Sequence, residues 1–280
     1  MKGFKIIWPG LMTSIQDLGR SGLSHFAIPP SGVMDRNSAL LANRLLQNPD
    51  NYPLIENTLL GGSFEVLNRI QIAITGADMT WVVNGYPIQL NRVYTLEKGD
   101  LLEGSRVVEG FRSYIGVSGK LLGNEVYGSV SYLSYAGIGN LDGSPLKKGD
   151  IIELTSGEKF ESPLVSPTPL SNAILLEKGP EFDYLDQASQ QRLYRQAFTI
   201  SPKSNRMGAQ LDGEPLVLTK TLKDSLPLYP GFVQLPSSGH PIVVLQDGQT
   251  TGGYPRIAYI KEEVLDRFNQ IPIGGKLRCL

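Results

Sequence analysis

The sequence predicts a mainly β protein with a few short helices, divided into two domains. Three observations carry that prediction. Apolar residues fall largely in short runs that alternate with polar ones or end on turn residues, the period of strands rather than helices. Glycine (31) and proline (19) are abundant among the 280 residues, enough for many turns but short of a disordered composition. Pro163, Pro167 and Pro169 crowd one stretch, Pro163 to Leu170, which favours an extended, weakly packed linker. A chain of this length implies about two domains. The boundary is placed in that stretch, giving domains over 1–165 and 166–280.

The elements follow in order. Asp35 to Gln47 reads as the best helix: Asp35 caps its start, Leu41, Ala42, Leu45 and Leu46 form one apolar stripe, and Pro49 follows its end. Ile70 to Gly76 reads as a strand. Trp81 to Ile88 reads as a hairpin, because Asn84-Gly85 supplies the positive φ angles of a type I′ turn. Lys98-Gly99-Asp100 and Lys148-Gly149-Asp150 each read as a turn feeding an apolar strand. Glu181 to Phe198 reads as a second helix with Pro180 near its first position, and Lys261 to Asn269 as a short third. Pro241 to Leu245 is an apolar strand. Leu141-Asp142-Gly143-Ser144-Pro145-Leu146 recurs as Leu211-Asp212-Gly213-Glu214-Pro215-Leu216, which hints at duplicated halves or at shared turn chemistry.

Composition excludes several functions. Net charge is −1, with no basic excess for a nucleic-acid footprint. No run of apolar residues is long enough to span a membrane. The N-terminus lacks a secretory apolar region, and the lone Cys279 cannot form an internal disulfide and reads as an inert thiol, so a cytoplasmic setting is expected. There is no P-loop and no G-x-S-x-G elbow, since Gly116-Val117-Ser118-Gly119-Lys120 misses its last position. Gly137-Ile138-Gly139 does not continue to a third glycine. With only His25 and His240, a three-histidine metal site is impossible.

Four polar clusters remain. Thr13 to Arg20 offers Gln16, Asp17 and Arg20. Arginine's planar fork suits a carboxylate or phosphate, but an internal Asp17–Arg20 pair pinning a loop fits equally well. Pro29 to Asp35 lies at the mouth of the first helix, where backbone N–H groups attract anions. Asp35 there reads as a cap, and Ser31 and Gly32 stay open as ligand groups. Ser204-Asn205-Arg206-Met207-Gly208 is a polar turn carrying an arginine. The fourth and richest, Gln249-Thr250-Thr251-Gly252-Gly253-Tyr254-Pro255, follows an apolar strand. Its glycines permit close backbone approach and its hydroxyls both donate and accept. An ordinary Gly-Gly hairpin is the alternative.

Taken in order, Gln16-Asp17-x-Gly19-Arg20, Pro30-Ser31-Gly32-x-Met34-Asp35, Ala42-Asn43-x-Leu45, Ser204 to Gly208 and Gln249 to Pro255 resemble one family across nearly the whole chain. It is that of the C-type component of bacterial ATP-dependent 5-oxoprolinase, also called biotin-dependent carboxyltransferase or allophanate-hydrolase second-subunit-like, which includes the antagonist of the Kip sporulation-kinase inhibitor. Val33 stands where the family often has alanine, and Lys223 to Tyr229 matches it only loosely.

The resemblance implies two cyclophilin-like β-barrel domains. It implies a hydrolase subunit that opens the 5-oxoproline lactam to glutamate, active as a heteromer with a B-type (Kip inhibitor-like) subunit and an A-type subunit. ATP and Mg²⁺ are then used by the complex. Asp17, Arg20 and Arg206 are the expected catalytic residues. Gln16, Ser31, Gly32, Asn205, Thr250, Thr251, Gly252, Gly253 and Tyr254 are the expected substrate-binding residues, and no metal ligand is expected among them. Two rival readings are a regulator that antagonises a kinase-inhibitor partner, and a carboxyltransferase component using carboxybiotin; the chain has no Met-Lys-Met biotin-attachment signature.

Overall fold

The computed structural model describes residues 3–155 and 173–280. The chain gathers into two compact units, one of Met1–Arg20 with Ser31–Pro169, the other of Ser21–Pro30 with Leu170–Leu280. The expected linker, Pro163 to Leu170, lies outside the described residues. The grouping of Ser21–Pro30 with the second unit has no counterpart in the sequence reading.

The first unit has strands β1 (Gly3–Trp8), β2 (Met12–Gln16), β3 (Leu54–Thr58), β4 (Ser63–Val66), β5 (Ile70–Asp78), β6 (Val82–Val83), β7 (Tyr86–Pro87), β8 (Val93–Leu96), β9 (Leu101–Glu103), β10 (Glu109–Val117) and β11 (Ile151–Glu153), with helix α1 (Arg36–Leu45) between β2 and β3. They form a six-stranded sheet ordered β11-β1-β4-β9-β6-β7 and a five-stranded sheet ordered β2-β3-β10-β5-β8. Alternation along each strand sorts the residues. Phe4, Ile6, Phe64 and Leu102 from one sheet meet Ile15, Ile55, Ile72 and Ile115 from the other in a single buried core. The opposite face of the five-stranded sheet presents Leu54 and Tyr114, which pack on Ala39 and Ala42 of α1. Strand β3 is therefore buried on both faces, and all five of its residues are buried.

Local chemistry explains the edges of these elements. The Asp35 side chain accepts from Ser38 N and Ser38 Oγ, which caps α1 as expected, an interaction contributing about 1 kcal/mol. Asn84 and Gly85 have φ of 51° and 81°, joining β6 and β7 by the expected tight turn. Gly99 and Gly149, at φ of 92° and 93°, precede β9 and β11.

The second unit has β12 (Ala173–Ile174), β13 (Glu177–Lys178), β14 (Ala197–Ile200), β15 (Gly208–Asp212), β16 (Leu226–Pro227), β17 (Phe232–Gln234), β18 (Ile242–Val244), β19 (Thr251–Gly252), β20 (Arg256–Tyr259) and β21 (Lys276–Cys279), with helices α2 (Gln187–Arg195) and α3 (Glu262–Phe268). Eight strands are ordered β12-β21-β14-β15-β18-β17-β20-β13. The two ends of that order, β12 and β13, are consecutive in the chain. One short segment thus hydrogen-bonds to β21 and then to β20, and the sheet curls back to it. The remaining pair is β16–β19.

One expectation fails here and one is met in part. The helix placed over 181–198 is a 3₁₀ turn at Phe182–Tyr184, an extended Leu185, the shorter α2 and then strand β14. Asp186 accepts from Ser189 N and restarts the chain as a helix; the N-terminal signal lay there rather than at Pro180. The repeated hexapeptide matches in part: Gly143-Ser144 and Gly213-Glu214 both bend ahead of a Pro-Leu pair whose leucine is buried, while the residues before them differ. Asp142 and Gly143 lie in a turn with Gly143 at φ of 85°, whereas Leu211 and Asp212 end β15.

Candidate functional site

In the first unit the expected residues gather around one buried carboxylate. Asp17 follows β2. Its Oδ1 accepts from Gly19 N (2.8 Å), Ser129 Oγ (2.6 Å) and Ser131 Oγ (2.6 Å), and its Oδ2 from Val130 N (2.9 Å). Four donors are about the capacity of one carboxylate. Arg20 Nη2 donates to the Ser131 carbonyl at 2.7 Å. Gln16 Nε2 and Ser31 Oγ both reach the Tyr132 carbonyl, at 3.2 and 3.3 Å. The segment 129–132 is thus the hub on which Gln16, Asp17, Arg20 and Ser31 converge. A carbonyl only accepts, so Tyr132 fixes the orientation of the Gln16 amide. Gln16 Oε1 then has no hydrogen-bond partner among the described residues.

The backbone at this hub is tightly constrained. Ser31 has φ of 55° and Gly32 of 89°. A Cβ at Gly32 would lie 2.8 Å from Gly19 N and 3.0 Å from Asp17 O. Only glycine allows that approach, and it lets Val33 N reach the Asp17 carbonyl at 2.9 Å. Nearby, Glu56 Oε2 accepts from Met34 N and from the Tyr114 hydroxyl. Burial, with Glu56 and Asp35 alongside, pushes the Tyr114 phenol well above its ordinary range.

In the second unit the turn Ser204 to Gly208 and the segment after β18 are locked together. Arg206 Nε and Nη2 donate to the two oxygens of Asp247, at 2.8 and 3.2 Å. Asn205 Oδ1 accepts from Met207 N at 2.8 Å, closing the turn. The Gly-Gly pair is no hairpin tip: Gly252 lies in β19, opposite Leu226, and neither glycine has a positive φ. Gly252 is required for space, since a Cβ there would meet Leu228 Cδ1 at 2.7 Å and Gln234 Nε2 at 2.8 Å. Thr250 is buried and its carbonyl accepts from Leu228 N. Thr251 is exposed, opposite Pro227. Gly253 and Tyr254 line a cavity of about 510 Å³.

A second ion pair, which sequence reasoning missed, binds Arg256 to Glu181. Arg256 Nε and Nη2 donate to the two carboxylate oxygens, both at 2.9 Å, and the guanidinium holds the Glu181 carboxyl below its ordinary range. Cys279 is buried, and burial pushes its thiol up to about 12. Sequence reasoning also missed Ser129, Ser131 and Tyr132. Only their alternation of hydroxyls marked them, and their partners lie more than a hundred residues away. No three His, Cys, Asp or Glu side chains gather as metal ligands among the described residues, and no helix there is long and apolar enough to cross a membrane.

The chain belongs to the family described as carboxyltransferase domain, subdomain A and B, whose model matches residues 26–279. It is 36% identical to the C-type component of the Escherichia coli 5-oxoprolinase over 275 residues, 96% of this chain and 88% of that one. It is 32% identical to the corresponding component of the Haemophilus influenzae 5-oxoprolinase, over 95% of this chain and 86% of that one. The crystal structure of K. lactis urea amidolyase superposes with a TM-score of 0.93 at 25% identity; it covers all of this chain, which spans 19% of the longer one.

Proposed function

We propose that this chain is a subunit of an ATP-dependent 5-oxoprolinase that, with a B-type partner and an A-type subunit, opens the 5-oxoproline lactam to glutamate. The observation that carries this reading is the 36% identity to a 5-oxoprolinase component of which the chain covers 88%. A lactam amide is resonance-stabilised and a poor target for water. ATP supplies the phosphoryl group that makes its oxygen a leaving group. This chain's share is positioning and charge stabilisation.

The residues divide by what they still have to offer. Asp17 is saturated by its four donors, and the Asp247 oxygens face Arg206, so neither fits Mg²⁺; the nucleotide and its ion belong to the complex and no step on this chain passes through them. Asp17, Arg20 and Arg206 act as positioning residues that hold the loops bearing the substrate contacts. Gln16 Oε1, buried and without a hydrogen-bond partner among the described residues, leaves a spare acceptor at the hub. Ser31, Gly32, Asn205 and the run Thr250 to Tyr254 supply hydroxyl, amide and backbone groups.

Co-expression with the candidate partners and assay of 5-oxoproline-stimulated ATP hydrolysis tests the reading; a purified complex with no such stimulation ends it. The likeness to urea amidolyase favours carboxyl transfer as the second reading, which predicts a biotinylated protein in the isolated complex.

A further inference from the structure

The second unit carries a cationic trough of about 590 Å³ that shares no residue with the loops assigned to substrate. One wall is α2, whose Ala188, Gln191, Arg192 and Arg195 line it; that spacing puts all four on one helix face. The other wall is Gln196 and Ala197, where the chain enters β14, with Gly213 and Glu214 just past β15.

The two walls are tied to each other. Arg192 Nε lies 3.0 Å from Glu214 Oε2, and its Nη1 donates to Pro215 O at 2.8 Å. Gln196 Nε2 donates to Glu214 O at 3.1 Å, and Glu214 N donates to Gln196 Oε1 at 2.9 Å. The Arg192 guanidinium is thereby held in one orientation, while its Nη2 donates no hydrogen bond among the described residues. Arg195 is exposed and makes neither hydrogen bond nor ion pair among them.

The charge continues along the sheet. Strand β14 pairs with β21 so that Ala197 faces Arg278 and Thr199 faces Lys276. Directly opposite residues share a face of a sheet, so both cations stand beside the Ala197 end of the trough. Arg278 is flanked by Ala173 on one side and Ala197 on the other, side chains too short to cover it. Arg278 and Lys276 are exposed and have no ion-pair partner among the described residues. Two carboxylates border the run, and both are engaged: Glu214 by Arg192, and Asp212, opposite Thr199, by Gln210 Nε2 at 2.9 Å. In a chain whose net charge is −1, this is a local excess of positive charge. A helix end favours arginine in its last turn, which accounts for Arg195 alone. It does not account for Arg278 and Lys276 on a separate strand.

Small residues shape the rest. Ala188, Ala197 and Gly213 keep the floor low, so an extended main chain fits along it while its side chains reach the guanidinium groups. Arginine forks match carboxylates in two-pronged contacts. A nucleic-acid backbone fits less well, because its phosphates follow one another at close, regular intervals and Glu214 and Asp212 interrupt the cationic run. We propose that this trough docks an extended acidic segment of a protein partner, with Asp or Glu carboxylates on Arg192, Arg195 and Arg278.

The test is fluorescence anisotropy on the whole chain at low salt, where exposed charges are little screened. The probes are labelled oligoglutamate, oligoglutamine of the same length and a single-stranded oligodeoxynucleotide of the same charge. Oligoglutamate binds and oligoglutamine does not. Reversing two cations together, Arg195→Glu with Arg278→Glu, weakens oligoglutamate binding about tenfold or more. Ala188→Trp, at an exposed position on the trough, fills it without changing its charge and weakens binding to a similar degree. Arg69→Glu, an exposed charge of the first unit, leaves binding unchanged. Circular dichroism checks that each variant is folded. Absence of oligoglutamate binding, or binding unchanged in the double variant, overturns the proposal. Binding that Ala188→Trp leaves intact, or that Arg69→Glu weakens equally, reduces the effect to diffuse charge and overturns it as well. Tighter binding of the oligonucleotide assigns the surface to nucleic acid instead.

Discussion

The two units each bury a carboxylate that organises loops, and they hold it by different means. In the first, Asp17 is surrounded by neutral donors, two serine hydroxyls and two backbone amides. In the second, Glu181 faces the Arg256 guanidinium, and Asp247 faces that of Arg206. A carboxylate fixed by four convergent donors is geometrically specified by the chain around it. One fixed by a single arginine depends on a charge balance that pH or one substitution can upset. The first arrangement makes a rigid hub; the second makes clamps whose strength can be tuned.

The sharpest way to break this comparison is at the hub. Asp17→Ala leaves four donors without their acceptor and is expected to destabilise the first unit by about 3–5 kcal/mol. The chain's two tryptophans, Trp8 and Trp81, both lie in that unit, so denaturant titration followed by tryptophan fluorescence isolates the effect. A loss below about 1 kcal/mol would show that the segment 129–132 is held by something else.

The Glu181–Arg256 clamp comes next. Glu181→Gln is expected to cost the second unit about 2–3 kcal/mol at neutral pH, read by circular dichroism. Because Arg256 lowers the folded-state pKa of Glu181 from an ordinary 4.5, that contribution is present above 4.5 and is lost as pH falls below it. Wild type and variant therefore converge in acid; a gap of equal size at neutral pH and well below 4.5 would remove the ion pair as its cause.

Arg206→Lys exchanges a two-pronged contact for a single point charge and is expected to cost about 1–2 kcal/mol. In the purified complex it should lower 5-oxoproline-stimulated ATP turnover, and unchanged turnover would remove Arg206 from the positioning machinery. The smallest effects separate two neighbours. Gly252→Ala drives a methyl against Leu228 and Gln234 and should cost about 1–2 kcal/mol. Gly253→Ala meets nothing nearer than Ser225 Oγ at 3.9 Å and should stay within about 0.5 kcal/mol. Thermal melts of the pair check both, and equal losses would show that space is not what distinguishes the two positions.

Much of this molecule was readable before folding was considered. The cap at Asp35, the turn at Asn84-Gly85 and the short helix near 261–269 are decided by residues within a few positions of one another, and all three appear in place. The helix read over 181–198 fails for a local reason too, because Asp186 caps a new start inside that span. The Gly-Gly hairpin alternative failed for a non-local one: β19 pairs with Leu226–Pro227, and no property of the glycines announces that partner. The family motifs flagged Gln16, Asp17, Arg20 and Ser31, but gave no sign of the serines and the carbonyl that receive them.

By itself, then, the sequence determined the strand-rich class, the caps and turns, and the membership of a carboxyltransferase family. Each depends on the chemistry of neighbouring residues or on ordered motifs. Only tertiary structure decided what those motif residues touch. Asp17 is bound to residues 129–131, Arg206 to Asp247, and Gly253 opens onto a cavity walled by segments more than a dozen residues away. The physical reason is that a hydrogen bond or an ion pair needs two groups within about 3 Å, and which distant groups meet is set by sheet order and register rather than by either residue alone.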